Sequence, residues 1–158
     1  MRVLAVDYGE KRIGLAISDP LEITANPLAV IERKGGRGEA LEAIARVVRD
    51  EEVEEVVVGL PVHLDGARGP AAEAAQAFAD ALARLLPVPV RLHDERLTTV
   101  AAEEAAGPPK SRRRRRKREE RLSRGIDKLA AAVLLRDYLN SRREPGGRAE
   151  PPGDLTTP

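Results

Sequence analysis

Three acidic residues lie at the ends of predicted strands and helices. Asp7 follows the short apolar strand that begins at Val3, Glu95 comes just after the strand 88–92, and Asp127 lies near the start of the last helix. Each has a structural explanation alone, because aspartate favours turns and an acidic residue near a helix N-terminus interacts favourably with the helix dipole. Together, three carboxylates at one edge of a sheet can hold hard divalent cations. They form the candidate catalytic and metal-binding set.

The chemistry that suits such a carboxylate cluster is the hydrolysis of phosphodiesters. Two Mg²⁺ or Mn²⁺ ions about 4 Å apart activate the attacking water and stabilise the leaving oxygen, so that no protein nucleophile is needed. The composition agrees: with no Cys and two His, the chain excludes disulfide scaffolds, zinc fingers, thiol nucleophiles and His-rich metal sites. Any metal must therefore bind to oxygen ligands.

Positive charge is concentrated in one part of the chain. The net charge is +1, yet residues 108–124 hold ten Lys and Arg against two Glu, so the remainder is acidic. Such a run predicts binding to a polyanion, because cations on phosphates release condensed counterions; a solvated charged segment is the alternative. With three aromatic residues to stack on bases, the sequence favours recognition of structured nucleic acid through backbone and shape. The candidate contacts are Lys11, Arg12, Arg96, Arg112, Arg113, Arg114, Arg115, Arg116, Lys117 and Arg118.

The pattern of apolar residues predicts three strands, then a helix, a strand, a helix, a strand and two helices. The predicted ranges are strands 3–6, 13–17 and 23–31, helix 39–48, strand 56–58, helix 70–86, strand 88–92, a short helix starting near Thr98 or Thr99, and a last helix 124–139. Short connections require the first three strands to be antiparallel, whereas the later strand–helix–strand units require parallel pairing. The fold class is therefore α/β, a mixed sheet with helices on both faces.

Finer features of the pattern give four further expectations. Pro27 places the third strand at an edge or a bulge. The basic run is expected to be a loop or a frayed helix start. Residues 140–158, rich in Pro and Gly, are expected to be a disordered tail, which leaves residues 1–139 as one domain. The buried stripe of the last helix is predicted to be Ile126, Leu129, Ala130, Val133 and Asp137.

Four residues are expected to support the site without reacting. Gly9 permits a tight connection after Asp7. Gly59 and Pro61 end a strand at the presumed active edge and are interpreted as part of a substrate loop. Thr98 is a candidate N-cap for the short helix that follows Glu95.

Four collinear motifs resemble the YqgF family, also called RuvX, over about residues 1 to 140. They are Asp7 to Asp19 (DYGEKRIGLAISD), Val57 to Pro61 with Asp65 and Gly66, Asp94 to Thr99, and Asp127 to Ala131 with Leu135, Tyr138 and Leu139. The interval between Glu95 and Asp127 is several residues longer than this family usually shows. The tail from Asn140 lies outside the resemblance.

The resemblance implies an RNase H-like fold related to the RuvC resolvases. It places Asp7, Glu95 and Asp127 on the family's acidic metal-binding positions. It implies a Mg²⁺- or Mn²⁺-dependent nuclease that matures the 5′ end of precursor 16S rRNA, or alternatively a resolvase of four-way DNA junctions. The partner is then nucleic acid, in the ribosomal context or as branched DNA.

Two other classes of function compete with the nuclease interpretation. The hairpin that carries Asp7 and Gly14 also resembles the phosphate-binding hairpin of sugar-kinase and Hsp70-type ATPases, but these need two lobes and 158 residues make one. A non-catalytic RNA- or ribosome-binding module would use the basic run alone. No apolar stretch approaches the roughly 20 residues of a bilayer span, so we expect a cytoplasmic protein with no membrane contact. The sequence does not distinguish a monomer from a dimer.

Overall fold

The computed structural model describes residues 1–61, 67–95 and 112–143, and the side chains of 112–124 and 127 lie outside that description. Within these ranges no helix is both long and apolar enough to cross a membrane. The elements in chain order are β1 (Val3–Tyr8), β2 (Arg12–Ser18), β3 (Ala25–Glu32), a 3₁₀ turn (Arg33–Gly35), α1 (Arg37–Asp50), β4 (Glu55–Pro61), α2 (Pro70–Leu85), β5 (Val90–Glu95) and α3 (Arg112–Arg143).

The five strands form one mixed sheet in the order β3-β2-β1-β4-β5. The first three strands are antiparallel, and β1, β4 and β5 are parallel. This confirms the predicted pairing, because short turns link the first three strands whereas helices cross over between the later ones. The carboxyl ends of β1, β4 and β5 meet at one side of the sheet, which we call the C-terminal edge.

Pro27 lies in the edge strand β3, and the pairing with β2 shifts beside it. Leu15 pairs with Ala29, but the next residue, Ala16, pairs with Pro27, so β3 has one extra residue at this point. Both expectations from the proline are confirmed, because a residue without an N–H group fits where the ladder is interrupted or ends.

Helices α1 and α2 cover one face of the sheet. The helix α1 buries Ala40, Ile44 and Val48 at intervals of four residues, and α2 buries Phe78 and Leu82 among small alanines. These side chains join the larger of two hydrophobic clusters with β-strand residues that include Leu4, Val6, Val56 and Val58. This face of the sheet is thus covered by an apolar core. The helix α2 begins with Pro70 at its first position, where the missing N–H of proline breaks no helical hydrogen bond.

The opposite face is covered by α3. Its buried residues Ala131, Leu134, Leu135 and Tyr138 pack on a strip of small strand residues that includes Ala5 and Ala16. The predicted stripe is therefore wrong in part: Leu129 is 49% exposed, and the Asp137 side chain is 68% exposed. Three consecutive alanines fit either helical phase, so the larger buried residues after them determine which side faces the sheet.

The helix α3 is longer at both ends than predicted. The basic run is continuous with it from Arg112, so the predicted start at Arg124 is wrong. Arg, Lys, Glu and Leu are good helix formers, and neither Pro nor Gly interrupts 112–124. The helix also continues to Arg143, four residues past the predicted domain end, while residues 144–158 and the predicted short helix at Thr98 lie outside the described residues.

A buried carboxylate fixes the C-terminal part of α3 to the sheet. Glu55, at the start of β4, is only 5% exposed and accepts a hydrogen bond from the Tyr138 hydroxyl. Guanidinium groups of Arg91 and Arg142 lie 3.8 and 3.4 Å from its two oxygens. Arg142 also pairs with Glu22 at 3.0 Å. The Glu55 charge is thus compensated inside the protein, as a buried carboxylate requires.

Replacing Tyr138 with Phe removes this hydroxyl and leaves the ring in place. We expect the free energy of unfolding to fall by about 1–3 kcal/mol, because the buried Glu55 carboxylate loses a donor. Urea denaturation near pH 7 measures the loss. Tyr8→Phe is the matched control, since the Tyr8 hydroxyl has no hydrogen-bond partner among the described residues. A loss no larger than that of the control would contradict the anchoring role.

The stability that Tyr138 supplies also depends on pH. Burial, and then the hydrogen bond to Glu55, raise the pKa of Tyr138 above its ordinary value of 10.0. A raised pKa in the folded state gives stabilisation that is complete below the ordinary pKa and is lost as the pH rises above it, since the unfolded chain releases the proton first. We expect the stability difference between wild type and Tyr138→Phe to be constant up to about pH 9 and to narrow above about pH 10. Denaturation curves across this range test it.

Candidate active site

Asp7 and Glu95 lie on the α3 side of the C-terminal edge. Side chains alternate along a strand, and Val3 and Ala5 of β1 pack under α3, so Asp7 belongs to the same face. On β4 the same alternation leads from Val57 to Gly59. The register places Asp7 beside Gly59, because Val6 pairs with Val58, and Glu95 ends the next strand.

Gly59 provides the space that the Glu95 carboxylate occupies. A Cβ atom at residue 59 would lie 2.5 Å from Glu95 Oε2 and 3.0 Å from Leu134 Cδ2 of α3. A side chain there would displace the Glu95 carboxylate or the end of the Leu134 side chain. Gly59 and Pro61 lie in the last part of β4, which confirms that they end a strand at this edge, and their part in holding substrate stays a prediction.

The direction of α3 brings its middle part towards this edge. Tyr138 contacts Glu55 at the start of β4, and Leu134 lies at Gly59 near the end of that strand. Position 127 is two turns earlier in the helix, further towards the C-terminal edge, and precedes the buried Ala131 by four residues. Because the Asp127 side chain lies outside the described residues, its meeting with Asp7 and Glu95 remains a prediction.

The described carboxylates suit a hard cation, although the full ligand set is not described. Asp7 and Glu95 are partly buried at the edge and offer oxygen donors of the kind that Mg²⁺ and Mn²⁺ prefer. Among the residues with described side chains, no group of three His, Cys, Asp or Glu could hold a metal ion. Asp127 is the predicted third ligand, so the two described residues fit a metal site that α3 would complete.

The turn after Asp7 is tight, and a residue from another element holds it. The Gly9 N–H donates to the Arg12 carbonyl at 3.0 Å, and a Cβ atom on Gly9 would lie 2.6 Å from that oxygen. Arg33, which was not among the predicted site residues, donates to the Gly9 carbonyl. Its signal in the sequence is slight, since it is one Arg at the end of a predicted strand.

The structure describes some of the other predicted nucleic-acid contacts with their side chains, some as backbone only and some not at all. Lys11 is exposed in the turn, and Arg12 pairs with Glu32 at 3.4 Å. Arg96 and Thr98 lie outside the described residues, and the basic run from Arg112 to Arg118 is described as helical backbone only.

His93 faces α3 between the anchoring cluster and the site. Its Nε2 atom is 2.7 Å from Asp137 Oδ2, and its ring meets the Tyr138 ring edge-on at a centroid distance of 5.6 Å. These contacts join β5 to α3.

Replacing Gly59 with Ala tests whether the close packing at this residue supports the site. The added methyl group overlaps Glu95 Oε2 and moves that carboxylate, so we expect cleavage activity to fall by more than about tenfold. The free energy of unfolding should change little, because both contacts are with the movable ends of side chains. Gly38→Ala is the control, because a Cβ atom there meets nothing within 4 Å. Activity assays and urea denaturation of both variants measure the effects. An active Gly59→Ala variant would show that the position of the Glu95 carboxylate is unimportant.

Comparison with solved structures shows the fold. Thermus thermophilus RuvC, solved in complex with a Holliday junction substrate, aligns with a TM-score of 0.53 at 18% identity, over 90% of this chain and 95% of that one. A second Thermus thermophilus RuvC structure gives 0.52. The RNase H-like fold expected from the sequence is thereby confirmed.

Comparison with sequences shows the family. A protein of Thermobifida fusca is 51% identical over 154 residues, covering 96% of this chain and 93% of its own, and one of Pelotomaculum thermopropionicum is 43% identical over 157 residues, covering 94% and 95%. Both are named "Putative pre-16S rRNA nuclease". The model of the RuvX family, described as Holliday junction resolvase, matches residues 1–141. The chain therefore belongs to the RuvX family.

Proposed function

We propose that this protein is a metal-dependent endonuclease that hydrolyses phosphodiester bonds in structured nucleic acid. The observation that carries the proposal is the position of Asp7 and Glu95 on one face of the C-terminal edge, at the ends of the two strands that flank β4, with Glu95 Oε2 against Gly59. A family of nucleases and resolvases supplies the reaction class, and the carboxylates supply the chemistry.

The chain contributes metal ligands and a rigid frame for them. Asp7, Glu95 and Asp127 would hold two Mg²⁺ or Mn²⁺ ions, which when bound supply Lewis acidity for water attack and leaving-group departure. Asp7 pairs with Gly14 of β2, and β1 pairs with β4 up to Val6. Glu95 Oε2 and the Leu134 side chain are confined against Gly59. Such confinement lowers the reorganisation needed when charge develops on the phosphate.

We propose precursor 16S rRNA as the favoured candidate substrate, with cleavage at its 5′ end. The support comes from the relatives of more than 40% identity, which cover nearly the whole chain and carry the pre-16S rRNA nuclease name. On this proposal the protein acts in ribosome biogenesis, in the cytoplasm.

A four-way DNA junction is the second candidate substrate. The family description names Holliday junction resolvase, and RuvC bound to its junction shares the fold. Both substrates present phosphodiesters in a folded, branched setting, so the same carboxylates would serve either reaction. The basic part of α3 would meet the backbone of either substrate, since its residues from Arg112 to Arg118 carry seven consecutive cations.

Replacing Asp7 with Asn removes a metal-binding charge at nearly constant shape. We expect metal-dependent cleavage to fall at least about a thousandfold, because carboxylate ligands support the catalytic charge, while binding stays equal or tightens as repulsion of phosphate falls. The assay uses a labelled precursor 16S rRNA 5′-end fragment and a four-way DNA junction, each with Mg²⁺, Mn²⁺ or EDTA. The substrate that is cut identifies the function.

The matched control is Asp50→Asn, which removes an acidic group from the exposed last residue of α1. This variant should cleave as the wild type does. Tight binding of either substrate without any cutting, unchanged by Asp7→Asn, would contradict catalysis and favour the non-catalytic binding module. If the protein is such a binding module, replacing Arg112 to Arg116 with Gln should abolish its function. If the protein is a nuclease, the same replacement should weaken substrate binding and leave the cleavage step intact.

A further inference from the structure

Arg33 joins two turns at the C-terminal edge. One turn is 9–11, between β1 and β2, and the other is the 3₁₀ turn Arg33–Gly35 after β3. The Arg33 guanidinium donates to the Gly9 carbonyl at 2.7 Å and the Glu10 carbonyl at 2.8 Å. The Arg33 backbone N–H donates to the Lys11 carbonyl at 3.0 Å. Three hydrogen bonds thus make one unit of the two turns, which we call the joined rim (residues 9–11 and 33–35).

The guanidinium of Arg33 is fixed against the core. Its carbon lies 4.4 Å from the centroid of the Tyr8 ring, and that ring stacks on the buried Phe78 ring at 4.3 Å. A guanidinium held by two carbonyls and an aromatic face has little freedom to reach a ligand. Its role here is therefore to hold the rim.

The joined rim carries two exposed lysines, Lys11 on one turn and Lys34 on the other. The hydrogen bond from the Arg33 N–H to the Lys11 carbonyl links the two turns that carry them. Among the described residues neither ammonium group is paired with a carboxylate, whereas the adjacent Arg12 pairs with Glu32. Two exposed cations on turns that are fixed to each other, and not neutralised by an ion pair, suit a ligand with regularly repeated negative charge.

We propose that Lys11 and Lys34 together bind the sugar-phosphate backbone of the substrate, and that Arg33 is the positioning residue that holds them in place. The inference rests on the proposed function, since it takes the substrate to be nucleic acid. In the strand order the joined rim belongs to the β3, β2 and β1 side of the C-terminal edge, and Glu95 to the β5 side. Arg33 lies on the α1 and α2 face, because it stacks on Tyr8 beside Phe78, whereas Asp7 and Glu95 lie on the α3 face. The bound backbone would thus pass over the C-terminal edge from one face to the other.

The test measures how binding depends on salt. Affinity for a fluorescein-labelled RNA duplex and a DNA duplex is measured by anisotropy in EDTA, over a series of NaCl concentrations, for the wild type, Lys34→Gln and Arg33→Lys. Each lost phosphate contact should lower the slope of log affinity against log salt by about one and weaken binding about fivefold near 0.15 M salt. Arg46→Gln is the control, because it removes one exposed cation from α1 outside the rim.

Arg33→Lys is the decisive variant, because it keeps the net charge and loses the guanidinium plane that lies over the Tyr8 ring. We expect its slope to fall at least as far as that of Lys34→Gln, because both lysines lose their fixed position, and we expect Lys34→Gln to cause no further loss when added to it. Circular dichroism melting confirms that each variant is folded, and Lys34→Gln alters only an exposed residue. The RNA and DNA arms show which backbone is preferred.

Two outcomes overturn the inference. If Lys34→Gln matches Arg46→Gln while the wild type binds the duplexes, the rim makes no phosphate contact and the nuclease function stands. If the effects of Arg33→Lys and Lys34→Gln simply add, Arg33 does not position Lys34. Failure of the wild type to bind either duplex overturns both the rim and the proposed function.

Discussion

The close approach of α3 to the sheet is the constraint on which the rest of the site depends. This close approach requires small residues. Ala5, Ala16 and Ala131 are the small residues in the apolar part of the contact, and Gly59 is the small residue at the C-terminal edge. The buried Glu55 carboxylate then determines how far along the sheet the helix lies, because it is satisfied by groups from α3 and β5 together. A slide or rotation of α3 would leave that charge without its partners, and such a state is costly.

The two faces of the sheet accordingly have different tasks. The α1 and α2 face holds the larger apolar cluster, with long aliphatic side chains and Phe78, and accounts for much of the apolar burial. The α3 face holds the smaller apolar cluster and contains the polar contacts, namely the Glu55 cluster at one end and Asp7 and Glu95 at the other. Stability and chemistry are thus largely separated, so that the site can be altered without emptying the main core.

Much of this arrangement was predictable from the sequence. The antiparallel pairing of the first three strands, the parallel pairing of the later ones and the edge position of Pro27 follow from connection lengths and from the missing N–H of proline. Asp7 and Glu95 were predicted because both follow apolar strands whose carboxyl ends share one edge, and because their motifs resemble the RuvX family. The packing role of Gly59 was not predictable, because only the three-dimensional approach of Glu95 and Leu134 gives that glycine its meaning.

The predicted phase and start of α3 were wrong because the local sequence pattern fitted more than one helix phase or gave no clear helix signal. Three consecutive alanines left the phase of α3 undetermined, and repulsion among consecutive cations concealed the good helix propensity of Arg and Lys in the basic run. Arg33 was not predicted as a site residue because its role depends on hydrogen bonds to carbonyl groups of a turn more than twenty residues earlier. A sequence pattern encodes periodicity along one element better than it encodes a contact between two.

The continuity of α3 has a consequence for how this protein tolerates changes in length. Position 127 and the basic run belong to one helix of 32 residues, so the angle between them about the helix axis is set by the number of residues that separate them. Each inserted or deleted residue would turn the basic segment by about 100° relative to the sheet, and only a change of about seven residues restores the angle. Insertions between 118 and 127 should therefore be far less tolerated than substitutions there, whereas the interval before Arg112 lies outside this angular constraint.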